Sequence, residues 1–218
     1  MGILASERRV ALHHRALWLE YVTVGWNVIE AVVAIAAGII AGSVALIGFG
    51  VDSAIEVISA VGLLWRLHKA GPHAPVSEES EAERRALYVV AATFFLLAAY
   101  ITYDGVSALI QREEPLTSPA GIVLAVLSLV VMPVLAYAKH RTGREMGSRA
   151  LVADSKETWV CSYLSLALLV GVGAFALFGW WWADAVGALA MLPVVLWQGW
   201  ETLAEAREPV DASETSAT

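Results

Sequence analysis

Long apolar runs, broken at intervals by short polar stretches, dominate this chain. Six of them are long enough to cross a hydrocarbon core, which takes roughly 20 apolar residues in a helix. They lie at 16–40, 43–68, 84–111, 118–139, 149–177 and 180–204. Their length and the lack of strict alternation exclude barrel strands, so the pattern predicts an all-α membrane protein of six transmembrane helices. Residues 1–15 read as a cytosolic N-terminal segment, 16–205 as one six-helix transmembrane domain, and 206–218 as a short disordered cytosolic tail.

Composition strengthens the membrane reading. The 218 residues are 58% hydrophobic and 16% charged, against roughly 25% charged in an average soluble domain. A net charge of −7 argues against a nucleic-acid partner, and one cysteine leaves no intrachain disulfide framework. The polar N-terminus shows no cleavable signal peptide. Basic residues gather before helix 1 (Arg8, Arg9, Arg15), between helices 2 and 3 (Arg66, Lys69, Arg84, Arg85), between helices 4 and 5 (Lys139, Arg141, Arg144, Arg149) and after helix 6 (Arg207). The opposite loops hold Arg112 alone. That asymmetry predicts both termini in the cytoplasm of a cell (inner) membrane, with Trp180–Trp182 anchored at the outer interface.

Against this background, "VDSAIEVISA" at 51–60 stands out, because Asp52 and Glu56 interrupt an apolar run. Four residues apart on a helix, they share one face. Entering near Ser43, Asp52 lies about 13 Å deep at 1.5 Å per residue, close to the middle of a core about 30 Å thick. Acids there are costly and point to function. Helix 5 brings Glu157 and Cys161, also four apart, to a similar depth while running the other way. "ALIGFGVDSAIE" aligns with "ALVADSKETWVC", pairing Asp52 with Glu157 and Glu56 with Cys161, and "YDGVSALI" in helix 3 matches "WQGWETLA" in helix 6. The two halves thus read as inverted three-helix repeats with a midplane site between them, a recurrent transporter design. Three carboxylates and a thiol suit a divalent cation. Four ligands fit tetrahedral Zn²⁺ best, and Fe²⁺, Mn²⁺, Co²⁺ and Cd²⁺ stay open. Four ligand charges exceed the metal's two, so protons are expected to compete for the same atoms.

At these residues the chain resembles the cation diffusion facilitator family. The resemblance spans 16–205 and rests on "GSVAL" before the helix 2 site, "YITYDGVSALI", "REEP" and "WWADAVGALAMLPVVLWQGWETL" taken together. It implies a divalent cation efflux transporter, not an enzyme, working as a metal/proton antiporter by alternating access in a lipid bilayer. Its transport-site ligands fall on Asp52, Glu56, Glu157 and Cys161. Glu157 stands where the family usually has His or Asp, and Cys161 where it has Asp. The family's usual C-terminal cytosolic domain has no counterpart in these residues, so the expected homodimer rests on the membrane helices.

No cofactor is expected, because the cation is cargo. Alternatives are a membrane metal-dependent transferase and a non-transporting metal sensor or accessory subunit. His68 and His73 are candidates for a second, cytosolic-side site. Glu20, Asn27, Glu30, Asp104 and Asp184 read as interhelical hydrogen-bonders, with Glu30 and Asp184 also candidates for lining an ion path. Lys156 is expected to snorkel or to pair with Asp154.

Overall fold

The structure, a computed structural model, describes residues 2–71 and 81–207. Six helices follow one another: α1 (Gly2–Ala41), α2 (Val44–Ala70), α3 (Glu81–Gln111), α4 (Pro119–Met146), α5 (Arg149–Phe178) and α6 (Ala183–Arg207). All six contain a stretch apolar enough to cross a membrane. Five of them are longer than the apolar runs alone imply, and α6 keeps the expected length but lies three residues further along. The N-terminal segment continues α1 without a break, and α4 runs on past Lys139. Trp180–Trp182 form the turn between α5 and α6, with Trp180 and Trp182 stacked, instead of opening α6.

Lipid offers the backbone no hydrogen bonds, so each helix has to satisfy its own ends. Two turns do this identically. After α1, Gly42 takes a positive φ of 65°, the Ser43 N–H reaches back to the Gly38 carbonyl, and the Ser43 hydroxyl accepts from the Leu46 N–H. After α4, Gly147 has φ 71°, the Ser148 N–H reaches the Gly143 carbonyl, and the Ser148 hydroxyl accepts from the Leu151 N–H. A glycine at C′ adopts this left-handed conformation without Cβ strain, and serine is a strong N-cap. Gly38 packs against Leu46 and Ile47, as Gly143 does against Leu151 and Val152. Every one of these pairs, and Asp52 with Glu157, stands at one constant offset in the chain.

Packing follows the same correspondence. The dominant contacts are α1 with α2, α4 with α5, and α3 with α6; α1 also meets α4, and α2 meets α5. Four helices (α1, α2, α4, α5) therefore form a bundle, and α3 and α6 form a pair laid against it. Small residues permit the closest approaches, as is usual where no hydrophobic force drives helices together in lipid. Gly171 of α5 and Gly187 of α6 put their backbones in contact near the α5–α6 turn. Nearer the chain termini a cavity opens between the same two helices. The outward surface is apolar, with Trp18, Ile40, Leu96, Val134, Leu177 and Trp200 exposed.

Adding a methyl group at Gly38 would bring it 2.7 Å from an Ile47 side-chain carbon and 2.9 Å from the Ile47 amide nitrogen; at Gly143 the corresponding distances to Val152 are 2.9 and 3.0 Å. Nothing lies within 4 Å at Gly25. Gly38→Ala and Gly143→Ala are each expected to cost about 1–3 kcal/mol, as overpacking does. Gly25→Ala should be neutral or stabilising. Thermal unfolding of the purified variants in detergent reads the difference; three equal midpoints would contradict it.

Candidate metal centre

Two helices bring acids to the interior from opposite ends. Asp52 lies nine residues beyond the Ser43 cap of α2, and Glu157 nine beyond the Ser148 cap of α5, each about 13 Å along its helix. Asp52 (4% exposed) and Glu56 (6%) are buried, and Glu157 is partly so. All three line one small cavity of about 10 Å³, walled by Ile55, Ser59, Val90, Phe94 and Gln198. That is near the roughly 10–15 Å³ a single water-sized particle needs.

The cavity is not drawn tight around its centre. Glu157 accepts a hydrogen bond from Ser59 (3.0 Å), and Glu56 accepts one from Thr158 (3.0 Å). Among the described residues, no three His, Cys, Asp or Glu side chains converge as the ligands of one ion do. One oxygen of Asp52 and the amide oxygen of Gln198 have no hydrogen-bond partner. Cys161 is buried but does not line this cavity; its Sγ lies 4.0 Å from Glu30 Oε2.

Two polar clusters of the bundle flank the cavity. Glu30 of α1 accepts from Trp26, from Ser128 of α4 and, at 3.2 Å, from Ser53 of α2. Lys139 of α4, expected at a basic loop, is instead completely buried. It forms ion pairs with Asp154 of α5 and, at 3.3 Å, with Glu20 of α1. Asp154 therefore pairs with Lys139 and not with Lys156, which is exposed. Lys139 also donates to the Thr158 hydroxyl at 3.4 Å, and Thr158 donates to Glu56, which links this cluster to the cavity.

Sequence reasoning missed Lys139, Ser59, Thr158 and Gln198. A signal for the first existed along α1, where Glu20, Thr23, Asn27 and Glu30 recur at three- and four-residue steps and are all fully buried. Such a stripe demands polar partners from neighbouring helices. Asp184 ties helix ends together, accepting from Ser43 and from the Ala45 N–H at the start of α2. Asp104 accepts from Tyr100 on its own helix. His68 uses Nδ1 on the Leu64 carbonyl and sits with Nε2 3.3 Å from the Tyr21 hydroxyl. His73 lies outside the described residues.

Six membrane-crossing helices around buried carboxylates define an integral membrane protein of transporter type. The family model described as the cation efflux transmembrane domain matches residues 21–208, and the chain belongs to that family. It is 30% identical over 169 residues to an uncharacterised transporter of Synechocystis sp., covering 76% of this chain and 54% of the relative. It is 23% identical to transmembrane protein 163 of Xenopus laevis (80% and 63% covered) and 22% identical to the magnetosome protein MamB of Magnetospira sp. (80% and 59%). The chain thus spans between half and two thirds of the length of these relatives.

Removing one partner of a buried ion pair strands the other and costs about 3–5 kcal/mol. Lys139→Met is accordingly expected to lower stability by that order, because Glu20 and Asp154 lose their cation. Adding Glu20→Gln and Asp154→Asn should recover most of the loss. Unfolding midpoints of the single and triple variants check this. A single variant as stable as the parent would show that the pairing contributes nothing.

Proposed function

We propose that this chain carries a divalent metal cation across a membrane by alternating access, exporting it in exchange for protons. One observation carries the reading: Asp52 and Glu56 from α2 and Glu157 from the oppositely running α5 line a single interior cavity. Membership of the cation efflux family supports it. The acids face a space too small and too apolar-walled to hydrate several negative charges, so a cation or protons have to neutralise them. Metal and proton then compete for the same oxygens, and loading one releases the other. The excess of Lys and Arg at the loops on the terminal side supports a cytosolic origin for the cargo.

The metal depends on Cys161. A thiolate ligand favours Zn²⁺ or Cd²⁺, whereas carboxylate oxygens alone favour harder ions such as Mn²⁺. Thiolate ligation would bring Cys161 Sγ, 4.0 Å from Glu30 Oε2, onto the same ion as the acids of α2 and α5. A transferase reading needs basic groups that grip a phosphate, and among the described residues none lines the cavity holding Asp52 and Glu56.

Purified protein in liposomes with an enclosed metal indicator provides the test. Wild-type uptake is expected to fall as the pH on the loading side drops, since protonated carboxylates bind metal poorly. Asp52→Asn should insert normally, abolish uptake and release fewer protons on metal addition. Uptake at the wild-type rate in that variant would reduce the acid pair to a structural role. Cys161→Ser should depress Zn²⁺ and Cd²⁺ uptake more than Mn²⁺ uptake if the thiol is a ligand; equal uptake of all three assigns the site to oxygen ligands.

A further inference from the structure

Gln198 is the polar side chain that α6 contributes to the cavity of Asp52, Glu56 and Glu157. It is 7% exposed, and its amide oxygen has no hydrogen-bond partner. Buried amide oxygens are nearly always satisfied, because leaving one dry forfeits its hydration without return. An orphaned carbonyl oxygen beside three acids has the chemistry of a neutral cation ligand, of the kind hard divalent ions accept alongside carboxylates. Its neutrality also matters, since a fourth carboxylate would add to a negative charge the cargo already cannot balance.

Its position adds a second observation. A further cavity of about 30 Å³, between α5 and α6 on the side of the chain termini, is lined by Lys156, Glu157, Glu201, Thr202 and Glu205 among others, and Gln198 and Glu157 belong to both cavities. An ion moving from that cavity towards Asp52 and Glu56 therefore passes Gln198 and Glu157.

We propose that Gln198 is a specificity-determining ligand of the transported cation, donating its amide oxygen at the threshold between the α5–α6 cavity and the acids of α2 and α5. The inference rests on reading those acids as the transport site. It also gives the α3–α6 pair a direct hold on the ion. The other ligands belong to the bundle, so occupancy of the site draws the pair and the bundle together through one side chain.

The test is a binding titration of purified wild type, Gln198→Leu, Gln198→Glu and Asp52→Asn with Mn²⁺ and, separately, Zn²⁺, followed by uptake into liposomes. Gln198→Leu is expected to raise the dissociation constant of the ion that wild type binds by about tenfold, equivalent to about 1.4 kcal/mol, and to raise the half-saturating concentration with little change in maximal rate. Gln198→Glu should restore affinity and make binding more steeply pH-dependent, because it adds an oxygen that also takes a proton. Wild-type affinity in Gln198→Leu would overturn the proposal, and so would equal losses in the Leu and Glu variants, which indicate packing. If Asp52→Asn binds like wild type, or wild type binds neither ion, the transport-site reading itself fails and the inference with it. Loss in Asp52→Asn with no change in Gln198→Leu defeats the inference alone.

Discussion

A charge inside a hydrocarbon layer has to find its counter-charge or its hydrogen bonds within the protein, because no solvent is there to supply them. Much of this architecture answers that demand. Lys139, on α4, is held between Glu20 of α1 and Asp154 of α5, so three helices meet on one ammonium group. Glu30 draws hydroxyls from α2 and α4 onto one carboxylate. Apolar packing alone gives weak direction in lipid, where the outside is as oily as the inside. These polar crossings supply register, fixing which turn of each helix faces which. The outside differs from that of a soluble bundle: tryptophans and branched aliphatics cover it, while the polar crossings are set within an otherwise apolar interior.

The duplicated turn explains how the acids reach a common depth. The same glycine and serine arrangement ends one helix and starts the next at opposite faces of the molecule. Counting equally from each turn brings Asp52 and Glu157 to one level. The halves differ in what surrounds that level. Asp154 of α5 corresponds to Phe49 in α2, and Lys139 of α4 to Ala34 in α1. A symmetric backbone thus carries an asymmetric set of charges.

Six helices were legible because length and hydropathy are one-dimensional properties. The joint depth of Asp52, Glu56 and Glu157 was legible too, since helical rise converts position into distance. Lys139 was misread because a lysine closing an apolar run looks like an interfacial charge. Only the packing of α4 against α1 and α5 shows that two acids await it. Gln198 was passed over because, with Glu201, Thr202 and Glu205 at helical steps after it, it reads as the start of a polar face at the cytosolic end of α6. Its meaning comes from the cavity it shares with α2 and α5. Cys161 is buried outside that cavity with Glu30 Oε2 4.0 Å from its thiol, a neighbour that spacing along α5 alone does not reveal.

The bond between Asp184 and Ser43 has a wider meaning. Ser43 accepts from its own helix and donates to Asp184, so one hydroxyl both caps α2 and clasps it to the first turn of α6. At that end α5 and α6 are also pressed together at their glycines, while at the other end they part around a cavity. The molecule is therefore latched on one face and ajar on the other. Any conformer that parts α2 from α6 at the latched face has to break the Ser43–Asp184 bond and find that hydroxyl another acceptor. Its cap on the Leu46 N–H can stay in place, so one serine serves as both a fixed cap and a releasable bolt.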